Sequence, residues 1–175
     1  MPAVTGPALA VAALLVLAGA QKLLDPTMTV GALRALRLPA SPLLVRAGSA
    51  AELVLGAAAI AVGGPVLWAL VAASYLAFAA FVAAALRSGT PIGTCGCFGR
   101  EETPPHPSHV ALNVAVAVVA VAAAATTSGP LVDGLFDDVG TGVALVVSAT
   151  VTVGLLYAAF VELPRAAAAA HQQRL

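Results

Sequence analysis

The hydrophobic positions of the chain fall in long, nearly unbroken blocks instead of one-sided stripes. Five such runs cover residues 7–24, 41–62, 65–86, 108–127 and 140–163. Each has the length of about 20 residues that a helix needs to cross the hydrocarbon core of a bilayer. Their Ala, Leu and Val lack the strict alternation of barrel strands, so helices are the predicted elements. Turn and helix-breaking residues stand between the runs: Asp25-Pro26, Pro39 and Pro42, Gly63-Gly64-Pro65, Ser88-Gly89-Thr90-Pro91, Gly129-Pro130 and Pro164. Ala, Gly, Ser and Thr recur inside the runs, and small side chains let membrane helices approach closely. The prediction is an all-α, polytopic transmembrane bundle of five spans, forming a single membrane domain over residues 1–175.

One segment has a different pattern. In residues 27–38, Met28, Val30, Leu33, Leu36 and Leu38 interleave with Arg34 and Arg37. That mixture suits a short helix lying at the membrane interface. Within the first run, Ala18-Gly19-Ala20 has the form of a signal-peptidase site. No Lys or Arg precedes the run, however, and a secretory signal carries a basic leading region, so the run is read as a retained span.

Composition strengthens this picture and narrows the partners. Hydrophobic residues make up 61% of the chain and charged ones 9%, against roughly 25% charged in ordinary soluble domains. The mean hydropathy of +1.00 leaves nothing to cover a water-facing surface, so the lipid bilayer is the principal partner. A net charge of zero gives no footprint for nucleic acid. Abundant Ala, with one Lys among otherwise Arg basic residues, suits a bacterial genome of high GC content.

Charge placement orients the bundle. With five spans, Lys22, Arg34, Arg37, Arg46, Arg87, Arg100, Arg165 and Arg174 all fall on one side, and the loop with Asp133, Asp137 and Asp138 on the other. Short loops rich in Lys and Arg stay cytoplasmic. The expectation is a bacterial inner-membrane protein with its N-terminus outside and its C-terminus in the cytoplasm.

Candidate chemistry is concentrated in the loop 87–108. The chain has two cysteines, Cys95 and Cys97, one residue apart in Gly93-Thr94-Cys95-Gly96-Cys97-Phe98-Gly99-Arg100. Glycines at 93, 96 and 99 allow the tight bend that brings the sulfurs together. Such a pair alternates between dithiol and disulfide when one thiolate is accessible and the other resolves the mixed disulfide. Phe98 is placed to shield the pair, and Arg100 to stabilise a thiolate electrostatically. A metal reading competes for the same sulfurs: Cys95, Cys97, His106 and His109 together supply four soft or borderline ligands suited to zinc or copper, although the spacings are tighter than in common zinc fingers. A non-catalytic scaffold that docks a partner enzyme is the third reading. No cofactor-binding residues are identified. A quinone stays open as a cofactor, but nothing in the sequence supports a site for one, and two cysteines are fewer than quinone-linked disulfide generators of the four-helix type usually use.

Glu52 is the other residue of note. Counting about 1.5 Å per residue from Pro42 places it about 15 Å deep, near mid-bilayer. A carboxylate there is costly and is paired, protonated or functional. Lys22 and Arg46 are its candidate partners. Tyr75 and Asn113, also inside spans, are expected to pack with satisfied hydrogen bonds.

Cys95-Gly96-Cys97-Phe98-Gly99 after a hydrophobic span resembles the signature of the methylamine utilization protein MauE family, within the DoxX-like group of small membrane proteins. Two further segments agree: Ala18-Gly19-Ala20-Gln21-Lys22-Leu23-Leu24-Asp25-Pro26 is similar to the family's first-helix ending, and Glu52-Leu53-Val54-Leu55-Gly56 to its acidic second-helix stretch. The resemblance spans residues 8–160 and implies a four-helix core. It also implies a role in redox maturation: handling the disulfides of extracytoplasmic proteins, as with the small subunit of methylamine dehydrogenase, alongside a thioredoxin-fold partner. In that reading Cys95 and Cys97 form the redox-active disulfide, with Gly96, Phe98, Gly99, Arg100, Glu52 and Lys22 in support. Charge bias places the cysteine loop on the cytoplasmic side, whereas the implied clients fold outside.

Overall fold

The computed structural model describes residues 4–88, 105–136 and 138–172, with backbone alone at 135 and 167–172. The helices are α1 (Thr5–Leu24), α2 (Thr27–Ala35), α3 (Pro42–Ala61), α4 (Pro65–Ser88), α5 (Pro107–Thr126), the single turn α6 (Asp133–Phe136) and α7 (Val139–Gln172). No strand occurs among the described residues. Five helices, α1, α3, α4, α5 and α7, are long and apolar enough to cross a membrane, within a few residues of the runs predicted from sequence. The chain is a multi-pass membrane protein.

Local chemistry explains the boundaries. Pro42, Pro65 and Pro107 open α3, α4 and α5, where a missing N–H costs nothing. The Ser41 hydroxyl accepts the Leu44 N–H at 3.1 Å and caps α3. Helix α2 ends in a Schellman-type turn, with Leu38 N–H donating to Leu33 C=O at 3.0 Å and Arg37 at φ 57°. At the opposite end of the bundle, Gly63 and Gly64 take φ of 69° and 93° to reverse the chain between α3 and α4. A Cβ on Gly63 would collide with the Gly129 carbonyl. Close by, Leu131 N–H donates to Ile60 C=O at 3.0 Å and ties the α5–α6 connection to the end of α3. Asp138 Oδ2 accepts the Thr141 N–H at 2.9 Å at the start of α7, and this bond holds the Asp138 carboxyl below its ordinary value.

Helix α1 is the centre of the bundle. It packs on α3, α5 and α7, while α4 packs chiefly on α5. Leu14, Leu15, Trp68, Val71 and Phe160 are buried in the shared core. The α1–α3 approach depends on two glycines: a Cβ on Gly19 would lie 2.7 Å from the Ser49 carbonyl, and one on Gly56 would lie 2.7 Å from that of Ala12. Small residues at such crossings let dispersion forces act between backbones, which matters where no hydrophobic effect drives association. Val54, Val66, Leu76, Val147, Val151 and Leu155 face outward, as lipid contact requires.

Two features differ from the sequence expectation. The acidic loop contains the helical turn α6. Pro164, expected to end the last span at 163, instead lies buried inside α7, which continues to Gln172. Proline in a membrane helix is tolerated where a neighbouring group satisfies the freed carbonyl, and such a group is present here.

Candidate functional site

The end of the bundle that carries the basic residues brings together the last turn of α1, all of α2, the first half of α3, the last half of α4 and the start of α5. Ser88 and Pro105, the described residues nearest the cysteine segment on either side, are both at this end. Cys95, Gly96, Cys97, Phe98, Gly99 and Arg100 lie outside the described residues.

At its centre Lys22 Nζ lies 2.5 Å from Glu52 Oε2, and the two side chains are 4% and 18% exposed. The same ammonium sits 4.5 Å above the centroid of the Phe78 ring. Tyr75 extends this array, edge-on to Phe78 at 6.0 Å, with its hydroxyl donating to the Val11 carbonyl at 2.8 Å. An isolated charge at this depth would be prohibitive, but opposite charges in contact, with an aromatic face beside them, offset much of that cost. Of the two cations expected to partner Glu52, Lys22 does so and Arg46 is exposed. Gly19, one turn before Lys22, gives the close α1–α3 approach that brings Lys22 within reach.

Above this pair, a pocket of about 260 Å³ opens between α3 and α4 beneath α2. Leu33, Leu44, Gly48, Phe78 and Phe81 form its walls, and Lys22 and Glu52 its polar floor. Helix α2 is held over it by Ala32, buried against Ala85 of α4. The predicted interfacial helix is therefore a structural lid on one side of the pocket.

The histidines form a second polar group. His106 Nδ1 accepts the Ser108 N–H at 3.2 Å, and His106 N–H donates to His109 Nδ1 at 3.1 Å. These reciprocal bonds make a capping box at the start of α5. His109 Nε2 then faces the carbonyl of Phe160 at 2.9 Å. Because a backbone amide donates into Nδ1, the proton of the ring resides on Nε2, and the imidazole donates to Phe160. That carbonyl is available because Pro164, four residues later, has no N–H. Asn113 completes the group by donating to the His109 carbonyl at 2.7 Å. Both ring nitrogens of His109 are thus engaged, and no cluster of three potential metal ligands occurs among the described residues.

Sequence reasoning offered Lys22 as a partner of Glu52 but missed the pocket. The available signal was Phe78 and Phe81, three residues apart on one face of α4. It also missed the His109–Phe160 bond, for which a proline four residues after Phe160 was the clue.

The family model described as methylamine utilisation protein MauE matches residues 2–126, which include α1–α5 and the cysteine segment. No curated protein and no solved structure matches the chain.

Proposed function

Given that the chain belongs to the methylamine utilisation protein MauE family, we propose that it is a membrane thiol–disulfide redox protein supporting the maturation of extracytoplasmic proteins. In the namesake setting the client is the disulfide-rich small subunit of methylamine dehydrogenase, and the exchange partner is a thioredoxin-fold protein. The observation that carries this reading is the buried Lys22–Glu52 pair, which lies in the same family-matched span as the chain's two cysteines. The pair anchors α1 to α3, and its ammonium rests on Phe78 of α4, the helix that leads into the cysteine segment.

The chemistry is thiol–disulfide exchange. The thiolate of one cysteine attacks the partner's disulfide, a bond forms between the two proteins, and one partner sulfur leaves as a thiolate. The second cysteine then attacks the mixed disulfide. The products are the Cys95–Cys97 disulfide and a reduced partner, so two electrons have passed to the partner. The same steps in reverse oxidise the partner. Arg100 supports the thiolate form and Phe98 limits access to it.

The engaged state of His109 weighs against the soft-metal alternative. A metal held by Cys95, Cys97, His106 and His109 would have to displace either the capping amide or the Phe160 carbonyl from the ring. The test is trapping: Cys95→Ser and Cys97→Ser, expressed singly in membranes, should leave one of the two variants accumulating a mixed disulfide with a thioredoxin-fold protein. Failure of both to form any reductant-sensitive adduct would count against the reading, and stoichiometric zinc or copper in the purified wild type would favour the metal alternative.

A further inference from the structure

The pocket between α3 and α4 has the features of a ligand site. Its rim residues Leu44, Gly48 and Ala77 are exposed on the outer surfaces of spanning helices, so it opens towards lipid. A ligand therefore arrives from the bilayer and is largely apolar. The floor defines its head. Lys22 is neutralised by Glu52 at 2.5 Å, so the site carries no net charge for a phosphate or a quaternary ammonium. The ammonium has three N–H donors, of which one meets the carboxylate and another the Phe78 face. What remains is a donor and a carboxylate acceptor, in a mostly apolar pocket with the aromatic walls Phe78 and Phe81. A flat, neutral ring whose oxygens accept hydrogen bonds in one state and donate them in another matches this floor in both states.

We infer that this pocket binds the head group of a membrane quinone or quinol. Lys22 donates to a ring carbonyl, Glu52 accepts from a ring hydroxyl, and Phe78 packs on the ring. The volume of about 260 Å³ admits one substituted ring with its tail leaving between α3 and α4. The redox consequence rests on the thiol reading above. Oxidising the Cys95/Cys97 dithiol breaks two S–H bonds and forms one S–S bond, and the two electrons and two protons convert quinone to quinol. A carrier that diffuses within the bilayer would also connect a cysteine loop on one face to chemistry on the other.

Binding is testable apart from the thiols. The full chain carrying Cys95→Ser and Cys97→Ser, in lipid nanodiscs, is photolabelled with an azido-substituted short-chain quinone, and the adducts are mapped by mass spectrometry. Label should fall on α3 and α4 around Gly48 and Phe78, and unlabelled short-chain quinone should compete it away. A Cβ at Gly48 meets nothing within 4 Å, so Gly48→Phe fills the pocket without pressing on backbone and should weaken labelling at least about tenfold. Ala77→Phe, filling the same space from α4, should do the same, whereas Gly48→Ala should label normally. Label elsewhere, label unaffected by the folded filling variants, or equal competition by a phospholipid of matched chain length would overturn the inference. Because the labelled variant has no thiols, such a failure leaves the exchange chemistry untouched. Normal labelling without disulfide trapping in the single-serine variants would instead sink the thiol reading alone.

Discussion

His109 donates from Nε2 to the Phe160 carbonyl at 2.9 Å, a carbonyl whose helical partner was removed by Pro164. The bond joins the start of α5, just after the cysteine segment, to α7, which lies outside the span matched to the family. His109→Phe leaves that carbonyl unsatisfied in a buried position and should cost about 1–2 kcal/mol in detergent unfolding. In a Pro164→Ala background, the backbone amide gained at that position restores the helical bond to Phe160, so the same substitution should cost clearly less. Equal losses in the two backgrounds would show that His109 does not substitute for the missing amide.

The Lys22–Glu52 contact makes a sharper set of predictions. Lys22→Met alone or Glu52→Gln alone leaves a buried group that has lost its counter-charge and should destabilise by about 3 kcal/mol. Lys22→Met combined with Glu52→Leu removes both charges and should fall within about 1 kcal/mol of wild type. Thermal unfolding of the four proteins in one detergent gives the coupling directly. Additive losses in the double variant would mean that the two groups do not act as a pair. If the pair also serves the redox step, the stable double variant should exchange disulfides more slowly than wild type. Exchange at the wild-type rate would confine the pair to structure.

The spans, their number and the Lys22–Glu52 pairing were legible in the sequence for physical reasons. Apolar run length is set by bilayer thickness, and a carboxylate at about mid-bilayer depth demands a cation within reach. Arg46 was an equal candidate on that logic. Only the tight Gly19 crossing of α1 on α3, a tertiary fact, selects Lys22. The pocket was illegible because it arises from helices that are distant in sequence, with Phe81 of α4 facing Leu33 of α2 across it. The end of α7 was misread because proline was treated as a terminator, which holds only where no other donor meets the freed carbonyl.

Gly56 tests the packing argument. Its Cβ would lie 2.7 Å from the Ala12 carbonyl and 2.8 Å from Val16 Cγ2, so Gly56→Leu must push α1 away from α3. A loss of about 1–3 kcal/mol is expected. Gly31→Leu, at a helical position open to its surroundings, serves as the control and should change stability little. Similar stability of both variants would show that the α1–α3 crossing is not close-packed.

The orientation expected from charge is directly measurable. Since the basic residues gather at the end of α1, α4 and α7, a reporter fused after Leu175 should score as cytoplasmic, and one inserted at Asp133 as outside. The reverse pattern would turn the bundle over and place the cysteine segment on the client side. The same side for both would contradict α7 as a span.

The central claim is that Cys95 and Cys97 form a redox-active pair, and alkylation gel shift on native membranes tests it most directly. Membranes are treated with a large maleimide before and after a mild dithiol reductant, with Cys95→Ser and Cys97→Ser as references. The account predicts that oxidised wild type gains no label until reduction and then gains two, while each single variant gains one label or runs as a reductant-sensitive adduct with its partner. Two thiols that label fully without reductant, and remain so after exposure to an oxidised thioredoxin-fold protein, would contradict it.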